Sequence, residues 1–434
     1  MGTMRHKHLQ ASIIAAVLVS TALVGCGAKS GLTVPEIRFD GGLDSPIPLD
    51  APPRDTPIDA FIPPPDECVE LPPREPPEFI DVTFISRVST ADVYFLIDVT
   101  GSMGDEIEQI RSSLRDVLIP GIAAEIDNVH FAVGYYADFP AGDYGAPTDE
   151  VFGLLSPSTG DASLVQAAVD RLALQSGGDG PESTTEALYL SATGSALGRF
   201  VPSRRCPDRT TVGYPCFRTD GSRIFLVFTD APFHNGPFGA NPYDSGALGV
   251  TAHTYNETVT ALRSIGGKVL GLYSGGGDPE GLSHLQALAR DTGAVRPDGS
   301  PIVFDIGFDG RALGASVIEA IRTLVDEVPI DIDVLTEDDP TDELDALMFV
   351  DRVQALSAVP ASGATMFPDR FDNVLPGTEV TFRIFLANEL IERGEEPLRY
   401  RLQVVLRGDG VTRLKTTIVE VVIPALDGRG CEVP

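Results

Sequence analysis

Residues 93–103 read VYFLIDVTGSM. Five apolar residues, Val93 to Ile97, run without a polar break into Asp98, and two hydroxyls follow at alternate positions, Thr100 and Ser102. A run that is apolar on both faces is the pattern of an inner strand of a parallel sheet, where helices cover both sides. In open α/β folds, ligands bind beyond the carboxyl ends of such strands, at the point where the winding reverses. Asp98, Thr100 and Ser102 therefore stand where a site is expected. Three oxygens with little formal charge suit a hard cation, Mg²⁺ above all. The competing reading is local: Asp98 caps the helix that begins near Asp105, and the hydroxyls serve turn donors.

The chain on either side extends the pattern. RIFLVFTDAPFH supplies a second wholly apolar strand, Ile224 to Thr229, ending in Asp230. Helical spacing recurs at 105–125, 161–174, 253–265, 281–290 and 312–326, and after the turn SGGDGPESTTEAL; strands are read at 129–139, 269–273 and 302–304. This alternation predicts an α/β domain over 91–327 with a doubly wound, mostly parallel sheet. After Pro329 the pattern becomes strands alone. Val380, Phe382, Ile384 and Leu386 line one face, Leu398, Tyr400, Leu402 and Val404 another, and Ile418 to Ile423 makes a last strand. A β-sandwich of immunoglobulin-like size is expected over 328–434. FIDVTFISRV, 79–88, alternates in the same way and is assigned, as 79–90, to that sandwich.

The 434 residues carry 32 Lys and Arg against 63 Asp and Glu, a net charge of −31. That excess argues against nucleic acid and anionic membrane surfaces as partners. Arg5 and Lys7 precede an apolar run from Ile13 to Val24, too short to span a bilayer, so 1–25 reads as a signal peptide. Its end, Leu23-Val24-Gly25-Cys26, resembles a bacterial lipobox, which implies lipidation of Cys26. Gly27, where Asp would resemble an inner-membrane retention signal, points to the outer membrane, with the lipid as the only membrane contact. Residues 26–78, rich in Pro and Asp, are expected to be an extended tether. The four remaining cysteines, in an oxidising compartment, allow three pairings. Cys206–Cys216, closing a local loop, and Cys68–Cys431, tying the ends of the folded part, are favoured.

DVTGS, GDGPE and VFTDAPFH, in that order and spacing, resemble a von Willebrand factor A domain with a metal-ion-dependent adhesion site, in the form found in integrin β subunits. The match covers roughly Ala91 to Glu327. It implies that Asp98, Thr100, Ser102, Glu182 and Asp230 hold Mg²⁺ (or Ca²⁺ or Mn²⁺), directly or through water. A position is left for an acidic residue of a protein ligand. Glu182 matches the acid that integrin β chains use where other A domains have Thr. The same likeness places flanking cation sites at Asp105 and Glu106, and at Asp138 and Asp179, although Gly177 stands where a side-chain oxygen is called for. It also implies an A-like domain inserted into the sandwich.

Charge supports the set, since carboxylates gathered in one crevice raise each other's pKa unless a cation neutralises them. The expected function is a lipid-anchored binding or adhesion module. Its rivals are an envelope scaffold with a structural metal and a metal-dependent hydrolase. Against the hydrolase, Thr100 takes the place of the second Asp of phosphoryl-transfer sites, and no G-x-S-x-G, H-E-x-x-H or P-loop motif is present. His234 is read as a loop hydrogen-bonder. The arginines of the insertion near 199–222 are read either as a docking loop or as partners for the chain's own acids.

Overall fold

The computed structural model describes residues 63–431 apart from 209, 277 and 340–343. The signal peptide, Cys26 and most of the expected tether lie outside the described residues. Strands β1 (Glu67–Glu70) and β2 (Glu78–Ile85) precede β3 (Thr90–Asp98), which carries the motif quoted above. Helix α1 (Gly104–Ser113), a π-helical turn at 114–118 and α2 (Ile119–Glu125) lead to β4 (Asn128–Tyr136) and β5 (Gly153–Thr159). Next come α3 (Ala162–Val169), α4 (Thr184–Thr193), the small hairpin β6 (Thr211–Val212) and β7 (Phe217–Arg218), then β8 (Ser222–Thr229). The α/β part closes with α5 (Ser245–Leu248), α6 (Tyr255–Ser264), β9 (Gly267–Tyr273), α7 (Pro279–Asp291), β10 (Val303–Asp305) and α8 (Leu313–Glu327). Strands β11 (Ile330–Asp338), β12 (Val350–Val359), β13 (Thr365–Met366), β14 (Arg370–Val374), β15 (Glu379–Leu386), β16 (Leu398–Gly408) and β17 (Thr412–Ile423) follow.

The α/β sheet has the order β10-β9-β8-β3-β4-β5. Every pair is parallel except β4 with β5. Alternation along β3 feeds both faces. Val93, Phe95 and Ile97 join the core under α1, α3 and α8, while Tyr94 and Leu96 join the core under α4, α6 and α7. Each of these large apolar side chains contributes about 1.5–3 kcal/mol through complete burial. The chain winds outward from β3 to β5, then returns to β8 on the other side of β3. The winding thus reverses between β3 and β8, and Asp98 and Asp230 stand at the carboxyl ends of those two strands.

Two local expectations are corrected here. Residues 153–159, left without an element between the expected strand at 129–139 and helix at 161–174, form the edge strand β5; Pro157 masks the pattern, and an edge position tolerates its missing N–H. The single helix expected over 105–125 is broken by the π turn directly before Pro120, which cannot donate to the carbonyl four residues back.

The remaining strands form two sheets, β1-β17-β16-β11-β14-β13 and β12-β15-β2. Ile80 and Val82 of β2 and Val380, Phe382, Ile384 and Leu386 of β15 share one buried cluster with Ile332, Leu402, Val404, Val419 and Val421 of the larger sheet. Leu398, expected on the inner face, is exposed instead. Strand β2 runs antiparallel to β15 with Ile80 opposite Ile384, so the α/β part is inserted between two strands of one core. The expected tether ends early. Residues 67–70 pair in parallel with β17, burying Val69 and then Leu71, and Cys68 is disulfide-bonded to Cys431 with Cα atoms 5.9 Å apart. The second disulfide joins Cys206 and Cys216 beside the β6–β7 hairpin.

Candidate metal centre

Asp98 is fully buried at the end of β3. Its Oδ1 accepts from the Thr100 N–H (2.9 Å) and the Thr100 hydroxyl (2.7 Å), and its Oδ2 accepts from the Thr229 hydroxyl (2.7 Å). Burial nevertheless pushes its pKa up to about 6, with the charge of Asp230 adding to the rise. Asp98 does not cap α1, whose N-cap is Met103 with no side-chain bond. Ser102 is exposed on the next turn, and its hydroxyl donates to Asp230 Oδ1 at 3.1 Å. Asp98, Thr100, Ser102 and Asp230 therefore meet across the switch point.

Glu182 reaches the same place from the loop before α4. Its backbone N–H donates to the Pro232 carbonyl (2.9 Å) and its carbonyl accepts from the His234 N–H (2.8 Å), which clamps it to the loop after β8. The side chain is buried and its Oε2 has no hydrogen-bond partner. Burial first, then the charges of Asp98, Asp138, Asp179 and Asp230, push its pKa up to about 12.

Gly177 explains why no side-chain oxygen stands at its position. It has φ +65°, and a Cβ there would lie 2.9 Å from Glu182 Oε1 and 3.4 Å from Thr100 Cγ2. Only glycine lets this loop close over the two residues in that conformation. Asp149 holds the loop down by accepting from the Ser176 and Gly177 N–H groups at 3.0 and 2.9 Å.

The flanking residues divide. Asp105 is exposed in the first turn of α1, while Glu106 is buried beside it. The Ser274 hydroxyl donates to Glu106 Oε1, but Oε2 is unpartnered. Asp138 is buried; its Oδ1 accepts from the Phe139 N–H (2.6 Å) and the Tyr243 hydroxyl, and its Oδ2 is unpartnered. Burial drives its pKa well above the usual carboxylate range. Asp179 is exposed and faces His234 Nε2 at 3.1 Å. His234 is the loop hydrogen-bonder expected, its Nδ1 2.8 Å from the Asn241 carbonyl oxygen, and its Nε2 also joins the acidic cluster. The sequence signalled it only by its place four residues after Asp230.

A buried carboxylate oxygen with no donor costs several kcal/mol unless the group is protonated or meets a cation. Glu106, Asp138 and Glu182 each have one. The oxygen-only set of Asp98, Thr100, Ser102, Glu182 and Asp230 fits a hard divalent cation.

No family model matches the chain, and no curated protein matches it. Among solved structures it is similar to a von Willebrand factor type A protein from Catenulispora acidiphila, at 14% identity over 84% of this chain and 72% of that one, TM-score 0.37. It is also similar to the pilus adhesin SpaC from Lactobacillus rhamnosus GG in its open conformation (12% identity, 80% of this chain, 45% of that one, TM-score 0.35). A third is proximal thread matrix protein 1 from the mussel byssus (11% identity, 58% of this chain, 51% of that one, TM-score 0.32). The chain spans about half the length of the last two. The fold of the α/β part is read from its own sheet order, which is the doubly wound arrangement that the resemblance to von Willebrand A domains implied.

Proposed function

We propose that this chain is a divalent-cation-dependent protein-binding module, an adhesion or capture protein rather than an enzyme, held to the cell envelope by a lipid on Cys26. Asp98, Thr100, Ser102, Glu182 and Asp230 would hold the cation, with Mg²⁺ the best fit to their chemistry. The observation that carries the reading is the buried, unpartnered Glu182 Oε2 on a carboxyl that feels the charges of both Asp98 and Asp230. Bound there, the cation would supply an electrophilic position for a carboxylate oxygen of an acidic residue on a protein partner. Asp98, with both oxygens taken by Thr100 and Thr229, orients the Thr100 hydroxyl from behind. Ser102, exposed, and Asp230, half-buried, form the outward rim. Among the described residues no helix is long and apolar enough to cross a membrane.

Mg²⁺ calorimetry on the wild type, Ser102→Ala and Asp230→Asn tests the site, followed by pull-down from an envelope extract with and without chelator. Both variants should keep the wild-type melting temperature, bind Mg²⁺ more weakly and lose the chelator-sensitive partner. Equal Mg²⁺ binding by all three proteins would overturn the reading. Mg²⁺ binding with partner capture that ignores the chelator would reduce the ion to a structural role.

A further inference from the structure

We infer that the groove between β1 and β2 takes a basic, extended segment of a partner protein as an added strand. β1 and β2 each end a different sheet of the β part, and the two are not hydrogen-bonded to one another. All of β1 lines one wall and residues 78–81 of β2 line the other, around an open groove of about 540 Å³. A strand edge left unpaired in this way is a template for another strand.

The free side of β2 follows from its pairing. The Ser86 N–H donates at 2.8 Å to the Thr378 carbonyl, the position that continues the β2–β15 register opposite it. Antiparallel pairs alternate, so the even-numbered residues of β2 spend their N–H and C=O groups on β15 and the odd-numbered ones turn theirs away. Thr83 agrees: its carbonyl accepts from Lys415 Nζ, of β17, at 2.9 Å. Lysine and proline are the usual devices that close a strand edge. Here Lys415 closes it at Thr83 and Pro76 and Pro77 precede Glu78, while the outward groups of Phe79 and Asp81 between them face the groove.

Charge selects the occupant. Glu67, Glu70, Glu78 and Asp81 line the groove, and no cationic side chain does. Arg383 pairs with Asp81 through two 2.7 Å bonds, and Glu70 accepts from the Cys431 N–H at 2.7 Å. Among the described residues, Glu67, Glu70 and Glu78 have no ion-pair partner. Lys or Arg side chains on an added strand meet those three carboxylates, and Phe79, 48% exposed beneath the Arg383 guanidinium, offers an apolar contact. Residues 39–62, with five Asp and one Arg, carry the wrong sign to fill the groove. A second copy would bring the same acids edge to edge. This surface lies on the β part and is independent of the strand-end metal centre.

The test titrates the full chain, in detergent and chelator, with a fluorescent peptide of alternating Lys and Val. Two counterparts carry backbone N-methyl groups, one at the lysines and one at the valines. Only one edge of the peptide meets β2, so at least one counterpart should bind about tenfold or more weakly, although both keep the charge. Glu67→Lys with Glu78→Lys, both exposed, should weaken the parent peptide by a similar factor at an unchanged melting temperature. Hydrogen exchange resolved to single amides should slow at Phe79 and Asp81 when the peptide is added. The proposal is overturned by no binding, by equal binding of all three peptides, by wild-type affinity in the charge-reversed variant, or by exchange at Phe79 and Asp81 that the peptide does not slow. Slow exchange there before any peptide is added also overturns it, by showing the groove already filled. Light scattering then tells a second copy from the chain's own residues.

Discussion

The Thr229 hydroxyl, at the end of β8, donates a 2.7 Å hydrogen bond to Asp98 Oδ2 at the end of the neighbouring parallel strand β3. Thr229 Oγ1 also accepts from the Ala231 N–H at 3.0 Å. One buried hydroxyl therefore fixes the distance between the two strand ends from which the site is built. Thr229→Val keeps the shape but leaves both Asp98 Oδ2 and the Ala231 N–H unpaired, at a cost of about 1–3 kcal/mol each. Urea unfolding should show a lower midpoint at unchanged slope, with Thr229→Ser recovering most of it. A wild-type midpoint for the valine variant would mean that the bond does not hold the strands in register.

Glu182 sets the pH behaviour of the metal-free chain. Its folded pKa, pushed up to about 12, lies above the ordinary 4.5. Between those values the folded chain holds a proton that the unfolded chain has released, so stability falls as pH rises. In chelator the melting temperature should decline from pH 5 to pH 8, and Glu182→Gln should flatten that decline while matching the wild type near pH 5. Added Mg²⁺ should stabilise the wild type more at pH 8 than at pH 5, because binding must displace the proton. The same Mg²⁺ effect in Glu182→Gln would remove Glu182 from the ligand set.

The contrast between Asp98 and His234 shows what was legible in the chain. Asp98 directly follows an apolar run and Asp230 follows one across Thr229, and such runs report the sheet directly, because inner strands are covered on both faces. Glu182 was legible in its Gly- and Pro-rich surroundings only by resemblance, and Gly177 departs from the resemblance because a Cβ there would run into Glu182 Oε1. His234 and Thr229 carried no such mark. Their roles depend on where Asn241, Tyr243 and Asp98 lie in space, and no local spacing encodes that. Strand β1 was hidden for another reason: its one buried residue, Val69, and Leu71 just past its end are too few to stand out from the prolines around them.

Cys68 and Cys431 close a span of 363 residues that contains the whole α/β part. β1 is only four residues long and pairs with β17 alone, so it has little else to hold it. Replacing both cysteines by serine should cost about 2–5 kcal/mol. The loss should fall on the two β-sheets and leave Mg²⁺ binding at the strand ends intact. Calorimetry with and without Mg²⁺ separates the effects: one transition should drop in temperature while the Mg²⁺-dependent shift of the other is kept. A uniform drop that abolishes Mg²⁺ binding would show that the inserted part depends on the disulfide.

Arg218 decides between the two readings of the arginine-rich insertion. Asp92, fully buried at the start of β3, accepts from Arg218 Nε at 2.7 Å and from the Arg218 backbone N–H at 2.5 Å. The same guanidinium donates to the Ala91 carbonyl at 2.7 Å, and Arg223 donates to the Arg218 carbonyl through Nε at 3.1 Å. The hairpin thus plugs a carboxylate at the amino end of the central strand, far along β3 from the site; Arg218 is spent on that task, and Arg223 of β8 braces it through the Arg218 carbonyl. Arg218→Met leaves the Asp92 charge buried and unpaired, which costs about 3–5 kcal/mol. Arg218→Met with Asp92→Leu removes both charges and should recover most of that loss, because a buried pair contributes little net stability over apolar residues of similar size. If Arg218→Met melts like the wild type and instead weakens capture of an acidic partner, the hairpin is a docking loop and the brace is not its purpose.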